Sequence, residues 1–256
     1  MRFLACLIAG LVLAGSCRAG AEVVRIAAED DWPPYSSAVT VAGQAQQPQG
    51  FAVDLVREVF ASQGIRVEFV TVPFSRCLVY TLNGSVAGCF NVGKTQTNQD
   101  DFIWTPTPLL VEDLAVFART DTRVQGEVGV AELRDHAVGF TVGYTYATEL
   151  MTDPRITRYG ASSDQQLLRM LLARRVDYIL LNRLPGELRI HANPAFRGKV
   201  KFVGKLSTDT FWLAFSKAHP DGRRLSQVFE HGLGEFKRDG RYRSMMQAFR
   251  RSQGLP

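Results

Sequence analysis

The sequence predicts an α/β fold in two lobes. Three observations carry that expectation. Strand-like and helix-like segments alternate along the chain. A polar, glycine-bearing stretch from Asp121 to Gly129 changes the register midway and marks a crossing into a second lobe. Near the end, Phe211–Phe215 is an apolar strand placed to return to the first lobe.

The opening residues read as an export leader. Arg2 is a basic start, Phe3 to Leu13 is a short apolar run, and Ala19-Gly20-Ala21 is a small-residue cleavage site. The run is too short to span a bilayer. Residues 1–21 are therefore expected to be removed, leaving roughly 235 residues, enough for one large domain or two lobes of about 100. An alternative is lipid attachment at Cys17, since Ala14-Gly15-Ser16-Cys17 loosely resembles a lipoprotein signal.

Each element has a local signature. Val23–Ala28 is a strand that runs into the corner Trp32-Pro33-Pro34-Tyr35, whose two prolines hold it extended and leave both rings free. Val53, Val56, Val59 and Phe60 recur at helical spacing before Gly64 stops the helix. Val67–Val72 is the next strand. Pro73-Phe74-Ser75-Arg76 opens a helix to about Leu82, with Ser75 as its expected N-cap. Asn83-Gly84 breaks it, and Ala87–Val92 and Leu114–Ala118 follow as strands. Ala137–Thr141 is a strand ending at Gly143-Tyr144-Thr145-Tyr146, which reads as a helix start. Ser162 to Gln165 reads as a capping box ahead of Leu167, Leu168, Leu171 and Leu172. A buried strand from Asp177 ends at Asn182, and Pro185 fits the first turn of the next helix. Pro220 starts a long amphipathic helix, Asp239-Gly240 ends it, and Tyr242, Met245, Met246 and Phe249 mark a last short one.

Composition narrows the function classes. Set against 25 acidic residues, the 30 basic ones are interspersed and form no block, which argues against nucleic-acid binding. Cys77 and Cys89 stay in the body of an exported chain and read as one disulfide closing a helix and a strand. The loop-entropy model gives such a bridge about 3 kcal/mol. No Cys/His cluster is present, so no metal is expected, and the reading needs no cofactor. The four histidines are scattered and no nucleophile elbow occurs, so no catalytic residue is assigned. Gly88-Cys-Phe-Asn-Val-Gly93-Lys94-Thr95 matches a phosphate-binding loop letter for letter. Its strand falls inside the motif instead of before it, and polar residues follow where a helix is needed, so the nucleotide reading is set aside.

Taken in order, the pieces WPPY, GFAVDLVREVF, PFSRCLVYTLNGSVAG, the Ser163-Asp164 to Asp177 segment and FKRDGRY resemble the type 2 periplasmic solute-binding proteins. Within these the chain resembles the polar amino-acid-binding group (bacterial extracellular solute-binding proteins, family 3), from Val23 to about Phe249. The resemblance implies two lobes, each a mixed sheet flanked by helices, joined by two hinge strands. The expected division is 22–118 for the first lobe, 119–205 for the second and 206–256 for the return. It also implies a periplasmic monomer that captures a small polar, amino-acid-like solute in the cleft for a membrane ABC permease or a receptor. A dehydratase-type enzyme on the same fold is the alternative.

The candidate ligand set follows from strand ends and loops facing such a cleft: Trp32, Tyr35, Phe51, Phe74, Arg76, Asn91, Gly93, Lys94, Thr97, Tyr144, Thr145 and Asn182. In the family, the turn matching Gly143–Tyr146 holds the ligand carboxylate, with a threonine at Thr145. Two family features are missing. The carboxylate-gripping arginine is replaced by Gln99 or Asp100, and the ammonium-holding aspartate by Asn182.

Overall fold

The computed structural model describes residues 22–39 and 47–254. The leader, its cleavage site and Cys17 lie outside the described residues. Among those described, no helix is long and apolar enough to cross a membrane.

The first strand, β1 (Glu22–Glu29), is exposed at its start and fully buried from Ile26 on. Two short strands, β2 (Asp31–Trp32) and β3 (Ser36–Val39), pair across the proline corner, and β4 (Gln47–Gln49) adds to β3. The Pro33–Pro34 peptide is cis. Helix α1 (Phe51–Ser62) buries Val53, Val56, Val59 and Phe60, the stripe that the periodicity predicts. Strand β5 (Ile65–Val72) lies parallel to β1, and Gly64 adopts the left-handed conformation between α1 and β5.

Helix α2 (Phe74–Leu82) starts where expected, but Pro73 and not Ser75 is its N-cap. The Pro73 carbonyl already accepts from Arg76 and Cys77 at 2.8 and 3.0 Å, so Ser75 lies inside the first turn. Strand β6 (Gly88–Gly93) is entirely buried and pairs with β1. The phosphate-loop match is thus mostly strand, and turns follow Lys94. The expected Cys77–Cys89 disulfide is not formed. Both are free, fully buried thiols, and the Cys89 thiol donates to the Phe90 carbonyl at 3.6 Å. Burial pushes the Cys89 thiol well up, and its hydrogen bond with Cys77 and the nearby Cys77 charge add to the effect.

After β7 (Phe102–Trp104) comes β8 (Leu110–Arg119), longer than the apolar run Leu114–Ala118. A single 3-10 turn (Ala131–Leu133) precedes β9 (Ala137–Thr141). The Gly143–Tyr146 segment is a turn and not a helix start; the helix there, α3 (Thr148–Thr152), has only five residues. Strand β10 (Thr157–Ala161) pairs with β9. Helix α4 (Asp164–Leu172) is capped one residue later than predicted: Ser163 Oγ accepts from Gln166 N, and the Gln166 carboxamide accepts from Ser162 N. Strand β11 (Tyr178–Asn182) and helix α5 (Arg183–Ala192), with Pro185 in its first turn, fall where predicted. Strand β12 (Val200–Ser216) runs seventeen residues, far beyond Phe211–Phe215. Helices α6 (Gly222–Arg238) and α7 (Arg241–Ser252) close the chain.

The strands order as β10-β9-β11-β8-β12-β6-β1-β5, with β7 also on β12. Strands β8 and β12 are antiparallel partners from Arg119↔Val200 to Leu110↔Phe211. The end of β12 beyond Thr210 pairs with β6 and β7. This long pair therefore belongs to both halves and makes the two crossings. In the first lobe α1 and α6 cover one face of the sheet and α2 the other. In the second lobe α4 and α5 cover one face, and the α3 segment with the 3-10 turn covers the other. The fold is the two-lobed periplasmic-binding-protein type 2 architecture that the sequence predicts.

Candidate functional site

Strand ends of both lobes meet along one seam. On the first-lobe side are the ends of β1 and β6, the proline corner and the start of α2. On the second-lobe side are the turn after β9, the end of β11 and the middle of β12. Six of the predicted residues come together there. Trp32, Phe74, Asn91, Tyr144, Thr145 and Asn182 line one partly open pocket. The centre of a water molecule can move through only about 20 Å³ of it, so the lobes are drawn together around a narrow space.

Asn91 is the most unusual of these side chains. Its φ is 62°, in the left-handed region, and it is 3% exposed. Between Cys89 and Val92, β6 holds one residue more than the facing stretch of β12, which makes a bulge. Asparagine tolerates that conformation better than most residues. The bulge turns the amide off the ladder, and neither its Oδ1 nor its Nδ2 has a partner. Across the seam Asn182 is 8% exposed and its Nδ2 is likewise unpartnered. Buried amides without partners are costly, which makes this pair a candidate ligand contact.

Aromatic rings form the walls. Trp32 packs against Phe211 with centroids 5.0 Å apart, and Phe74 meets Tyr144 edge-on at 5.5 Å. Tyr144 also donates to Glu29 Oε1 at 2.7 Å across the seam. Gly93 and Lys94 line an adjoining, wider chamber together with Thr145, Tyr146 and Asp209. A Cβ on Gly93 would stand 2.5 Å from Thr145 Oγ1, so only glycine permits this approach of the lobes.

The remaining predicted residues lie elsewhere. Tyr35 is buried beside Trp32, but its hydroxyl donates to Glu112, and it lines a groove on another part of the surface. Phe51 packs against Phe249 at 5.0 Å in the first-lobe core. Arg76 and Thr97 are exposed, and neither lines either cleft chamber. Gln99 and Asp100 are exposed as well and use their carbonyls to accept from Trp104 and Lys217.

Several carboxylates escaped the sequence reading. Glu29, the last residue of β1, lines the pocket and is 4% exposed. Burial holds its carboxyl well above the usual range; the Tyr144 bond opposes this, and Asp164, Asp31 and Asp30 reinforce it. Asp164, 2% exposed at the start of α4, accepts from the Thr141 hydroxyl at 2.6 Å. Burial pushes it up to about 6, against the Thr141 bond and Arg189. Asp209 on β12 is also raised by burial. Arg189 of α5 reaches across to Asp31 Oδ1 at 2.9 Å. The sequence signal for Glu29 was its place at a strand end, beside the Asp30-Asp31 pair.

The comparisons with known proteins agree with the fold. A family model described as bacterial extracellular solute-binding proteins, family 3, matches residues 24–251. Curated protein sequences offer no match. Among solved structures, a histidine kinase sensor domain with similarity to periplasmic binding proteins superposes with a TM-score of 0.77 at 21% identity, covering 89% of this chain and 95% of its own. A mutant of ArgBP from T. maritima gives 0.74 at 18%, over 89% and 94%. The amino acid ABC transporter substrate-binding protein AbpA from Streptococcus pneumoniae, bound to L-arginine, gives 0.72 at 16%, over 90% and 95%.

Proposed function

The chain belongs to the bacterial extracellular solute-binding proteins, family 3, and from that premise we propose that it is a periplasmic receptor for a small polar solute held between the lobes. The observation that carries this reading is the pair of buried, unpartnered amides, Asn91 and Asn182, presented to one pocket from opposite lobes. A solute that satisfies both bridges the lobes, so it binds the closed state more tightly and shifts the population toward it. The division at 22–118, 119–205 and 206–256 belongs to the same reading, with β8 and β12 as the hinge. So does export through residues 1–21. The closed form would then be handed to a membrane ABC permease.

A second reading sends the closed form to a membrane receptor instead. It is favoured by the likeness to a histidine kinase sensor domain over 89% of the chain. The two readings share the same cleft and differ only in the partner.

Thermal-shift screening against amines, amino acids, organic acids and small sugars tests the cleft. The expected result is stabilisation by one solute class. In Asn91→Gly, which keeps the left-handed backbone and removes only the amide, that binding should weaken about tenfold without loss of folding. A variant that binds as tightly as wild type would remove the amide pair from the site.

A further inference from the structure

This pocket has an uneven chemistry. Glu29 and Asp209 line it, and no basic side chain does. On the second-lobe side, Arg189 is held by Asp31 at 2.9 Å. Lys94 belongs to the adjoining chamber, where it is exposed and its Nζ sits 5.8 Å from the centre of the Trp104 ring. The rings of Trp32, Phe74, Tyr144 and Phe211 form much of the remaining wall, beside Leu114, Leu180 and Leu181. Acidic groups, aromatic faces and the unsatisfied Asn91 carbonyl oxygen are together the surroundings that suit an organic cation.

We propose that the cleft takes a carboxylate-free organic cation, a primary ammonium or a guanidinium, whose N–H groups enter this pocket. The proposal rests on the cleft reading above and deepens it by naming the ligand class. Each N–H finds an acceptor: the Glu29 carboxylate, the Asn91 carbonyl oxygen, and that of Asn182 after a half-turn of its terminal torsion. The charge lies against the rings, which attract it through their faces. The space is narrow, which disfavours a bulky head group.

The same surroundings disfavour an α-amino acid head. Its carboxylate sits one carbon from its ammonium, so both would enter together. The carboxylate would then stand beside Asp209 and against the ionised Glu29 that the ammonium favours, with no basic partner in the pocket.

Binding is also coupled to a proton. Glu29 is faced by the Tyr144 hydroxyl, by Asp30, Asp31 and Asp164, and by the Cys89 thiol with its neighbour Cys77. Without a cation these surroundings favour the neutral carboxyl. An entering cation favours the carboxylate, so the Glu29 proton passes to solvent while the ligand keeps its charge. Affinity therefore rises with pH until Glu29 ionises in the free protein, and is flat above that point.

Titration calorimetry tests each part, using agmatine, putrescine, L-arginine and tetramethylammonium from pH 6 to 8 in buffers of different ionisation heat. Agmatine or putrescine should bind with release of a proton. L-Arginine, which adds the α-carboxylate to agmatine's frame, should bind about tenfold or more weakly than agmatine. Tetramethylammonium, which has no N–H, should be weaker than putrescine. In Glu29→Gln the proton release and pH dependence should vanish and affinity fall at least about tenfold, with the melting temperature not lowered. L-Arginine binding as tightly as agmatine, or tetramethylammonium as tightly as putrescine, overturns the proposal. A neutral or anionic solute that binds in an Asn91-dependent way while every cation fails overturns it and leaves the cleft reading intact. Binding of no solute of any class overturns both.

Discussion

Asp164 shows how burial can outweigh a favourable position. It occupies the first turn of α4, where a negative charge gains from the helix dipole, and it accepts the Thr141 hydroxyl at 2.6 Å. Burial still raises it from 3.8 to about 6. The unfolded chain therefore loses this proton first, and stability falls as pH rises from about 4 to about 6. Above that range the deficit is constant, at about 3 kcal/mol. Asp164→Asn keeps an acceptor for Thr141 and has no proton to lose. Urea unfolding should show it more stable than wild type by up to about 3 kcal/mol at pH 7.5 and equal to it at pH 4. Equal stability at both pH values would mean that the carboxylate is solvated after all. Residues such as Asp164 and Glu29 were not legible in the sequence, because their burial depends on what distant segments of the fold lay over them. Trp32, Phe74, Asn91, Tyr144, Thr145 and Asn182 were legible, because strand ends and the loops beside them face the cleft in this fold. Tyr35 and Phe51 share that placement, yet their rings turn toward α7 (Phe249).

Among the elements, β12 holds a backbone contact with no slack. Gly204 lies at a register shift against β8, and the Val128 backbone crosses directly over it. A Cβ there would stand 2.6 Å from Val128 N and closer still to its carbonyl oxygen. That segment is tied down, since Val128 N donates to the Val203 carbonyl at 2.9 Å. Backbone on both sides leaves no flexible atom to yield. Gly204→Ala should cost more than about 2 kcal/mol in urea unfolding, well above an ordinary surface glycine substitution. A loss under about 0.5 kcal/mol would show that the crossing is loose. The same strand explains why some elements stayed hidden in the sequence. Helices α1, α4 and α6 carry continuous apolar stripes and announce themselves. The first half of β12 mixes Lys201, Lys205, Ser207, Thr208 and Asp209 with apolar residues and carries no continuous apolar run, so only its apolar end was readable. The edge strand β10 is exposed at most positions and was missed for the same reason.

At the scale of the whole molecule, the seam is closed by a few contacts outside the hinge pair itself. Tyr144 donates to Glu29, Phe74 meets Tyr144, Thr145 abuts Gly93, and Arg189 pairs with Asp31. Glu112, on the hinge strand β8, accepts from Tyr35 and from Leu184 N at 3.3 Å, which ties both lobes to the crossing itself. Opening about β8 and β12 would break the seam contacts and keep the Glu112 ones. Of the seam contacts, the Arg189–Asp31 pair can be removed without touching the pocket lining. Asp31 is half exposed, with 46% of its side chain accessible, so solvent screening limits the pair to about 1 kcal/mol. That amount shifts an open-to-closed ratio about fivefold. Arg189→Met keeps the aliphatic stem and removes the charge. In small-angle scattering without ligand the variant should have a larger radius of gyration than wild type. A saturating cleft ligand should restore the compact curve, at an affinity about fivefold weaker when the closed form is the minor one. Identical scattering from the two proteins without ligand would show that this pair does not hold the lobes together. Closure would then rest on Tyr144 and Glu29, where the Tyr144→Phe variant repeats the test on the remaining polar contact.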